Sequence, residues 1–215
     1  MIYRLSYLLL FYLLPAVPLI AQKPFTEGVI SYRVKLESRD HKEFAGTYTF
    51  TIKGNQVRKE IKLNNGYRDI VLINSGTNKV YSLQNRNNKK YVIELSMADI
   101  IKRQEKFGGF TVSNEENNTN KVAGCAQLKG NINYKDGSNV AIFYTREWYP
   151  SQAITFERFP AARFLPLSFA YTDEDSISMQ FDAEKIEPGP VENAVFRIPP
   201  DYKMITNEEY RQLSK

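Results

Sequence analysis

The chain is expected to be mainly β, an α+β protein in which a single curved antiparallel sheet forms an incomplete barrel packed around one or two helices. Three observations predict this. Period-two alternation runs through most of residues 29–186, Asn and Gly pairs punctuate the alternating runs, and helical signals are confined to two short stretches. Roughly ten strands against two helices is too β-rich for a parallel α/β fold. A closed up-and-down barrel is the alternative. The helix that interrupts the strands favours the open, helix-filled form.

The elements follow in order. In residues 29–36, Ile30, Tyr32, Val34 and Leu36 alternate with Ser31, Arg33 and Lys35. Residues 46–53 place Tyr48, Phe50 and Ile52 on one side and Thr47, Thr49 and Thr51 on the other. After Gly54-Asn55 come Val57, Ile61 and Leu63 against Arg58, Glu60 and Lys62. Asn64-Asn65-Gly66 turns the chain into a strand at 67–73, and Ser75-Gly76 and Asn87-Asn88 bracket strands at 80–83 and 91–95. Ser96 with Asp99 three positions on resembles a capping box and opens a helix that ends at Gly108-Gly109. Its stripe of Met97, Ile100, Ile101 and Gln104 should lie against the sheet.

Residues 114–120, rich in Asn and Glu, read as a solvated loop, and strands resume at 122, 125–134 and 140–146 around the Asp136-Gly137 turn. Residues 148–166 carry Pro150, Pro160 and Pro166 among Phe156, Phe159 and Phe164, and read as an aromatic connection or lid. A last hairpin, 167–171 and 177–186, turns at Asp173-Glu174-Asp175. The extended run 195–198 enters Pro199-Pro200, and Thr206 with Glu209 caps a terminal helix at 206–213.

Residues 1–21 read as a secretory signal peptide. Arg4 is the n-region charge, 5–20 is uncharged, Pro15 and Pro18 break the helix, and small Ala21 ends the cleavage box. A spanning helix needs about 20 apolar residues, which the prolines and Gln22-Lys23 deny. No cysteine lies near the cut, so no lipid anchor is expected. The exported product, residues 22–215, is expected to be one domain and a monomer. It belongs to the periplasm first, with secretion or association with an outer membrane as alternatives. With 29 Lys and Arg against 24 Asp and Glu the net charge is +5. The basic residues are scattered without an arginine-aromatic cluster, which argues against nucleic acid as a partner.

Catalytic and metal chemistry find little to work with. His41, the one histidine, sits in the charged turn 38–43, and Cys125, the one cysteine, reads as a small buried side chain beside Gly124. No Cys/His zinc spacing, phosphate loop, nucleophile elbow or dinucleotide fingerprint is present. Glu115-Glu116 and Asp173-Glu174-Asp175 lack the alternation of a calcium loop. Asn117-Asn118-Thr119 matches a glycosylation sequon, a short motif that often occurs by chance. No catalytic residue, metal or cofactor is expected.

Several segments, taken in order, carry a likeness. They are Phe25-Thr26-Glu27-Gly28-Val29-Ile30-Ser31-Tyr32, Thr49-Phe50-Thr51-Ile52-Lys53-Gly54-Asn55-Gln56-Val57-Arg58, Val122-Ala123-Gly124-Cys125-Ala126, Phe143-Tyr144-Thr145-Arg146-Glu147, Leu165-Pro166-Leu167 and the terminal Phe196-Arg197-Ile198-Pro199-Pro200-Asp201-Tyr202-Lys203. Together they resemble a family of uncharacterised secreted proteins of Gram-negative envelopes with a LolA/LolB-like fold. The resemblance implies a half-barrel around helices whose concave apolar face, in the wider superfamily, carries lipids or lipoproteins. No residue here matches the basic residue by which the lipoprotein carriers control lid closure. Phe164-Leu165-Pro166-Leu167 also departs from the Gly-Leu-Pro-Gly motif of a neighbouring secreted family.

Two functions are therefore expected as alternatives. The first is a lipid or lipoprotein carrier with an apolar trough lined by Tyr48, Phe50, Ile52, Val71, Tyr81 and Phe181. The bland counterpart is that these side chains pack solidly against the helix. The second is an interaction or sensing module that holds another envelope protein through Trp148 and Phe159 in the proline-broken connection.

Overall fold

The computed structural model describes residues 22–86, 88–173 and 176–213. The expected signal peptide lies outside the described residues. Alternation builds the strands β1 (Lys23–Phe25), β2 (Glu27–Glu37), β3 (Glu43–Lys53), β4 (Gln56–Leu63), β5 (Arg68–Asn74), β6 (Lys79–Arg86) and β7 (Lys89–Leu95). After helix α1 (Met97–Glu105) come β8 (Thr111–Val122), β9 (Cys125–Asn133), β10 (Asn139–Thr145), β11 (Trp148–Pro150), β12 (Leu165–Thr172) and β13 (Ser178–Pro188). The chain closes with β14 (Lys203–Ile205) and α2 (Asn207–Gln212).

Twelve strands form one sheet in the order β14-β7-β6-β5-β4-β3-β2-β13-β12-β10-β9-β8. Its two edges, β14 and β8, do not meet, so it is an open sheet and not a barrel. Every pairing in it is antiparallel except β14 on β7. A separate parallel pair, β1 with β11, makes the architecture mixed. The protein is mainly β with two helices among the described residues.

Register puts the core on one face. The cross-strand row Ile30, Phe50, Lys59, Val71, Ser82 and Ile93 lies opposite residue to residue from β2 to β7. The next row, Ile52, Val57, Ile73, Val80 and Leu95, is apolar throughout. Directly opposed side chains stand on the same face, so these rows form the inner wall. Residues one position out, Ile70, Leu72, Leu83 and Val92, make a small second core on the outer face, covered by Ile198 and Tyr202.

That cover is the C-terminal segment, which crosses the outer face. Lys53 Nζ donates to the Val191 carbonyl at 2.6 Å, the Val191 N–H donates to Glu27 at 2.9 Å, and Arg58 donates to the Val195 carbonyl at 3.3 Å. Residues 193–196 form a 3₁₀ turn, so the first half of the run expected to be extended over 195–198 is helical. Beyond Pro199-Pro200 the chain adds β14 to the sheet edge, and Thr206 and Glu209 close a capping box on α2.

Two further expectations are corrected. Residues 114–120 are no loop but part of edge strand β8, whose pairing with β9 shifts register at 113–116 and 118–121. Polar composition misled because an edge strand with bulges needs no apolar side chains and resists further pairing. Residues 151–164 are not a lid over the surface. They turn repeatedly, with Thr155, Phe159 and Ala162 N–H groups donating to Gln152, Phe156 and Phe159 carbonyls. Ile154, Phe156, Phe159, Ala162 and Phe164 are buried in the main core. The segment is a plug between the two halves of the sheet. Phe156 meets Phe50 at 4.7 Å and Tyr32 at 6.3 Å, while Phe159 meets Phe169 at 5.1 Å.

Helix α1 begins where expected, with Ser96 Oγ accepting from the Asp99 N–H at 3.2 Å. Met97 and Ile100 pack on the core and Gln104 is buried, but Ile101 faces outward at 51% exposure. His41 lies in an exposed turn, its Nδ1 2.6 Å from Glu37. No helix among the described residues is long and apolar enough to cross a membrane.

Candidate functional site: an apolar trough with a charged floor

Between plug, α1 and the inner wall the packing is incomplete. An inner compartment of about 340 Å³ is bounded by Phe50, Ile73, Leu95, Ile100, Phe156 and Phe159, among others. An outer compartment of about 450 Å³ continues it past Leu36, Phe44, Ile61, Leu63, Ile177 and Met179. Tyr48, Lys59, Asp69, Val71, Tyr171 and Phe181 border both. The mouth opens into a wider hollow of about 720 Å³ over the ends of β2, β3, β12 and β13, which shares Leu36, Phe44, Tyr171 and Met179 with the outer compartment. Each compartment is within the roughly 300–1,000 Å³ typical of small-ligand sites.

The walls follow from local sequence. Alternation in β3 and β4 turns Tyr48, Ile61 and Leu63 inward. Phe169, Tyr171 and Phe181, on the paired β12 and β13, stack with interplanar angles of 11–20°. Arg158 from the plug lies over Tyr171 at 4.0 Å and Phe107 at 4.5 Å, pinning the plug to β12 and to the turn that follows α1.

The floor is charged. Lys59 stands in the inner row between Phe50 and Val71, and its Nζ donates to the Ile154 carbonyl at 2.9 Å. Burial depresses its pKa to about 8, against a smaller upward pull from Glu157. Asp69 Oδ1 accepts from Gln84 at 2.5 Å, and burial raises its carboxyl above the usual range against hydrogen bonds that lower it. Arg103 of α1, Glu157 and Arg158 border the inner compartment, as does Thr155. The Thr155 hydroxyl is buried and has no hydrogen-bond partner. Burial also raises the pKa values of Tyr48 and of Tyr171, the latter to about 12, so both phenols stay neutral.

The expected lining residues divide. Tyr48 and Val71 are half-buried and border both compartments, while Phe50 and Phe181 also line the cavity but are buried. Ile52 is corrected: at 0% exposure it packs solidly in the row below the cavity. Tyr81 is corrected too. It points to the outer face, packing beside Ile70, Leu72, Leu83 and Val92, because its neighbours Val80 and Ser82 take the inward parity. Phe159, expected as an exposed anchor, is 1% exposed within the plug. Trp148 is half-buried on Phe25 at 5.8 Å with Lys23 over its ring. Neither forms a free aromatic patch.

Lys59, Arg103, Thr155, Tyr171 and Met179 were not foreseen as site residues. One signal was present: Lys59 occupies the inward parity of β4, between Val57 and Ile61. The other four depend on how plug, helix and distant strands converge.

No protein-family model matches the chain, and no curated protein matches it. Among solved structures, the crystal structure of a LolA superfamily protein from Nitrosomonas europaea aligns with a TM-score of 0.38 at 11% sequence identity, covering 82% of this chain and 92% of that one.

Proposed function

We propose that this protein is an exported binding protein that carries the acyl chain of a lipid or lipoprotein in the trough of its inner face. The observation that carries the reading is the outer compartment, about 450 Å³ walled by Leu36, Phe44, Ile61, Leu63, Val71 and Met179 and open at its mouth. A long chain suits such a space because burying each methylene contributes about 0.8 kcal/mol. Ten methylenes give roughly 8 kcal/mol gross, against association costs of about 4–15 kcal/mol. At the low end of that cost the net is about 4 kcal/mol, a weak affinity that fits a carrier that must release its cargo. Export is the part of the reading supported by the signal-like sequence of residues 1–21.

The test is native mass spectrometry on protein taken without detergent from the envelope of its own host, paired with titration of a fluorescent acyl probe. A lipid-sized adduct and saturable probe binding are expected, and Val71→Trp, which fills the shared wall of both compartments, should abolish them. Absence of both adduct and probe binding in the unmodified protein would overturn the reading.

A further inference from the structure

Resting on the acyl-chain reading above, we infer that the cargo is a single-chain carboxylate, a free fatty acid, whose head group is received in the inner compartment by Lys59, Arg103 and Thr155. An apolar trough needs no lysine on its floor. Placing one between Phe50 and Val71 has a desolvation cost unless something uses its charge. Its ammonium has three donors, of which one is given to the Ile154 carbonyl. Among the described residues no carboxylate forms an ion pair with Lys59 or with Arg103.

Thr155 supplies the independent observation. Its residue is 0% exposed, it borders the same compartment, and its hydroxyl has no partner. A buried unmatched hydroxyl costs about 1–3 kcal/mol, and since this one is sealed from the compartment, a ligand acceptor would recover that cost only with a small shift of the plug. Ammonium, guanidinium and hydroxyl are all donors, and an ionised carboxylate is acceptor-only with two oxygens. The two groups complement each other.

The charge balance agrees. Lys59, Arg103 and Arg158 border the compartment against Glu157 and Asp69. Asp69 is already engaged by Gln84 and Ser82, and Arg158 by the rings of Tyr171 and Phe107. The remaining cations outnumber Glu157, so an anion is favoured over a neutral or cationic head. Lys59 also acts as a strut to the plug, but that accounts for one donor and for neither Arg103 nor Thr155.

Calorimetric titration of the protein as processed by its own host, with dodecanoate, dodecanol and dodecyltrimethylammonium, separates the possibilities. Dodecanoate is expected to bind about tenfold or more tighter than dodecanol, the scale of a charge-assisted hydrogen bond, and the cation more weakly than either. Lys59→Met and Arg103→Gln should each lower dodecanoate affinity far more than dodecanol affinity and so remove most of that preference. Arg103 sits at an exposed helix position, so Arg103→Gln remains informative if Lys59→Met disturbs folding. Thr155→Val should lower dodecanoate affinity several-fold while raising the melting temperature of the unliganded protein. Equal binding of acid and alcohol would overturn the head-group inference and leave the acyl trough standing. A preference for the acid that survives both charge variants would overturn the assigned residues. Binding of none of the three amphiphiles would overturn the trough reading and this inference together.

Discussion

Truncating Phe159 tests the claim that residues 151–164 are core and not a detachable lid. Its ring is 1% exposed and meets Phe169 at 5.1 Å, Phe164 at 6.0 Å and Phe110 at 6.4 Å. Removing a fully buried Phe costs about 3–5 kcal/mol, from lost transfer energy and the cavity left behind. Three aromatic neighbours, two of them outside the plug, limit collapse into that cavity, so about 4 kcal/mol is expected for Phe159→Ala. At about 2–4 °C per kcal/mol for a domain of this size, the melting temperature should fall by roughly 8–16 °C. Trp148→Ala is the internal control. Trp148 is half-buried, has Phe25 as its aromatic contact and is flanked by a cation, so about 2 kcal/mol and roughly 4–8 °C are expected. Scanning calorimetry at pH 7.5 reads both variants. A shift below 3 °C for Phe159→Ala, or one smaller than that of Trp148→Ala, would show that the plug detaches without the sheet noticing.

Three other outcomes follow from the same structure. The folded-state pKa of Lys59, about 8, lies below its ordinary value of 10.5, so between those values the unfolded chain binds more protons and stability should rise with pH. Each pH unit between them is worth about 1.4 kcal/mol, which caps the gain at about 3 kcal/mol; urea melts at pH 7.5, 8.5 and 9.5 should show it in the natural protein and lose it in Lys59→Met. Gly46→Ala should destabilise by at least about 2 kcal/mol in the same assay, because its Cβ would lie 1.9 Å from the Lys62 carbonyl oxygen of the neighbouring strand, and a neutral result would contradict the β3–β4 register. Burial, aided by Glu147, pushes the Cys125 thiol up to about 11, so alkylation at pH 8 should be slow in the native protein and become rapid in urea; equal rates would contradict its burial.

Much of the inner wall was legible in particular residues. Tyr48, Val71 and Phe181 were read correctly as inward-facing because alternation in an antiparallel strand assigns a face once one neighbour is known to be buried. Tyr81 failed by one position, since Val80-Tyr81-Ser82-Leu83 offers apolar residues to both faces and parity alone does not choose between them. Lys59 was overlooked for the opposite reason: a charge at an inward position looks like an interruption of the pattern until the cavity beneath it is seen.

Local chemistry in the sequence determined the hairpins, the Ser96 and Thr206 helix caps, the exposed His41 turn and the buried lone cysteine. These depend on residues within a few positions of one another, where turn and capping preferences act directly. Tertiary structure alone decided that residues 151–164 fill the core, that the C-terminal segment covers a second apolar face, and that Arg103, Thr155 and Tyr171 border the same compartment as Lys59. Those outcomes depend on which distant apolar surfaces bury one another. The hydrophobic effect that drives such burial has no direction, so composition alone does not tell whether Phe156 and Phe159 are buried in the chain's own core or against a partner.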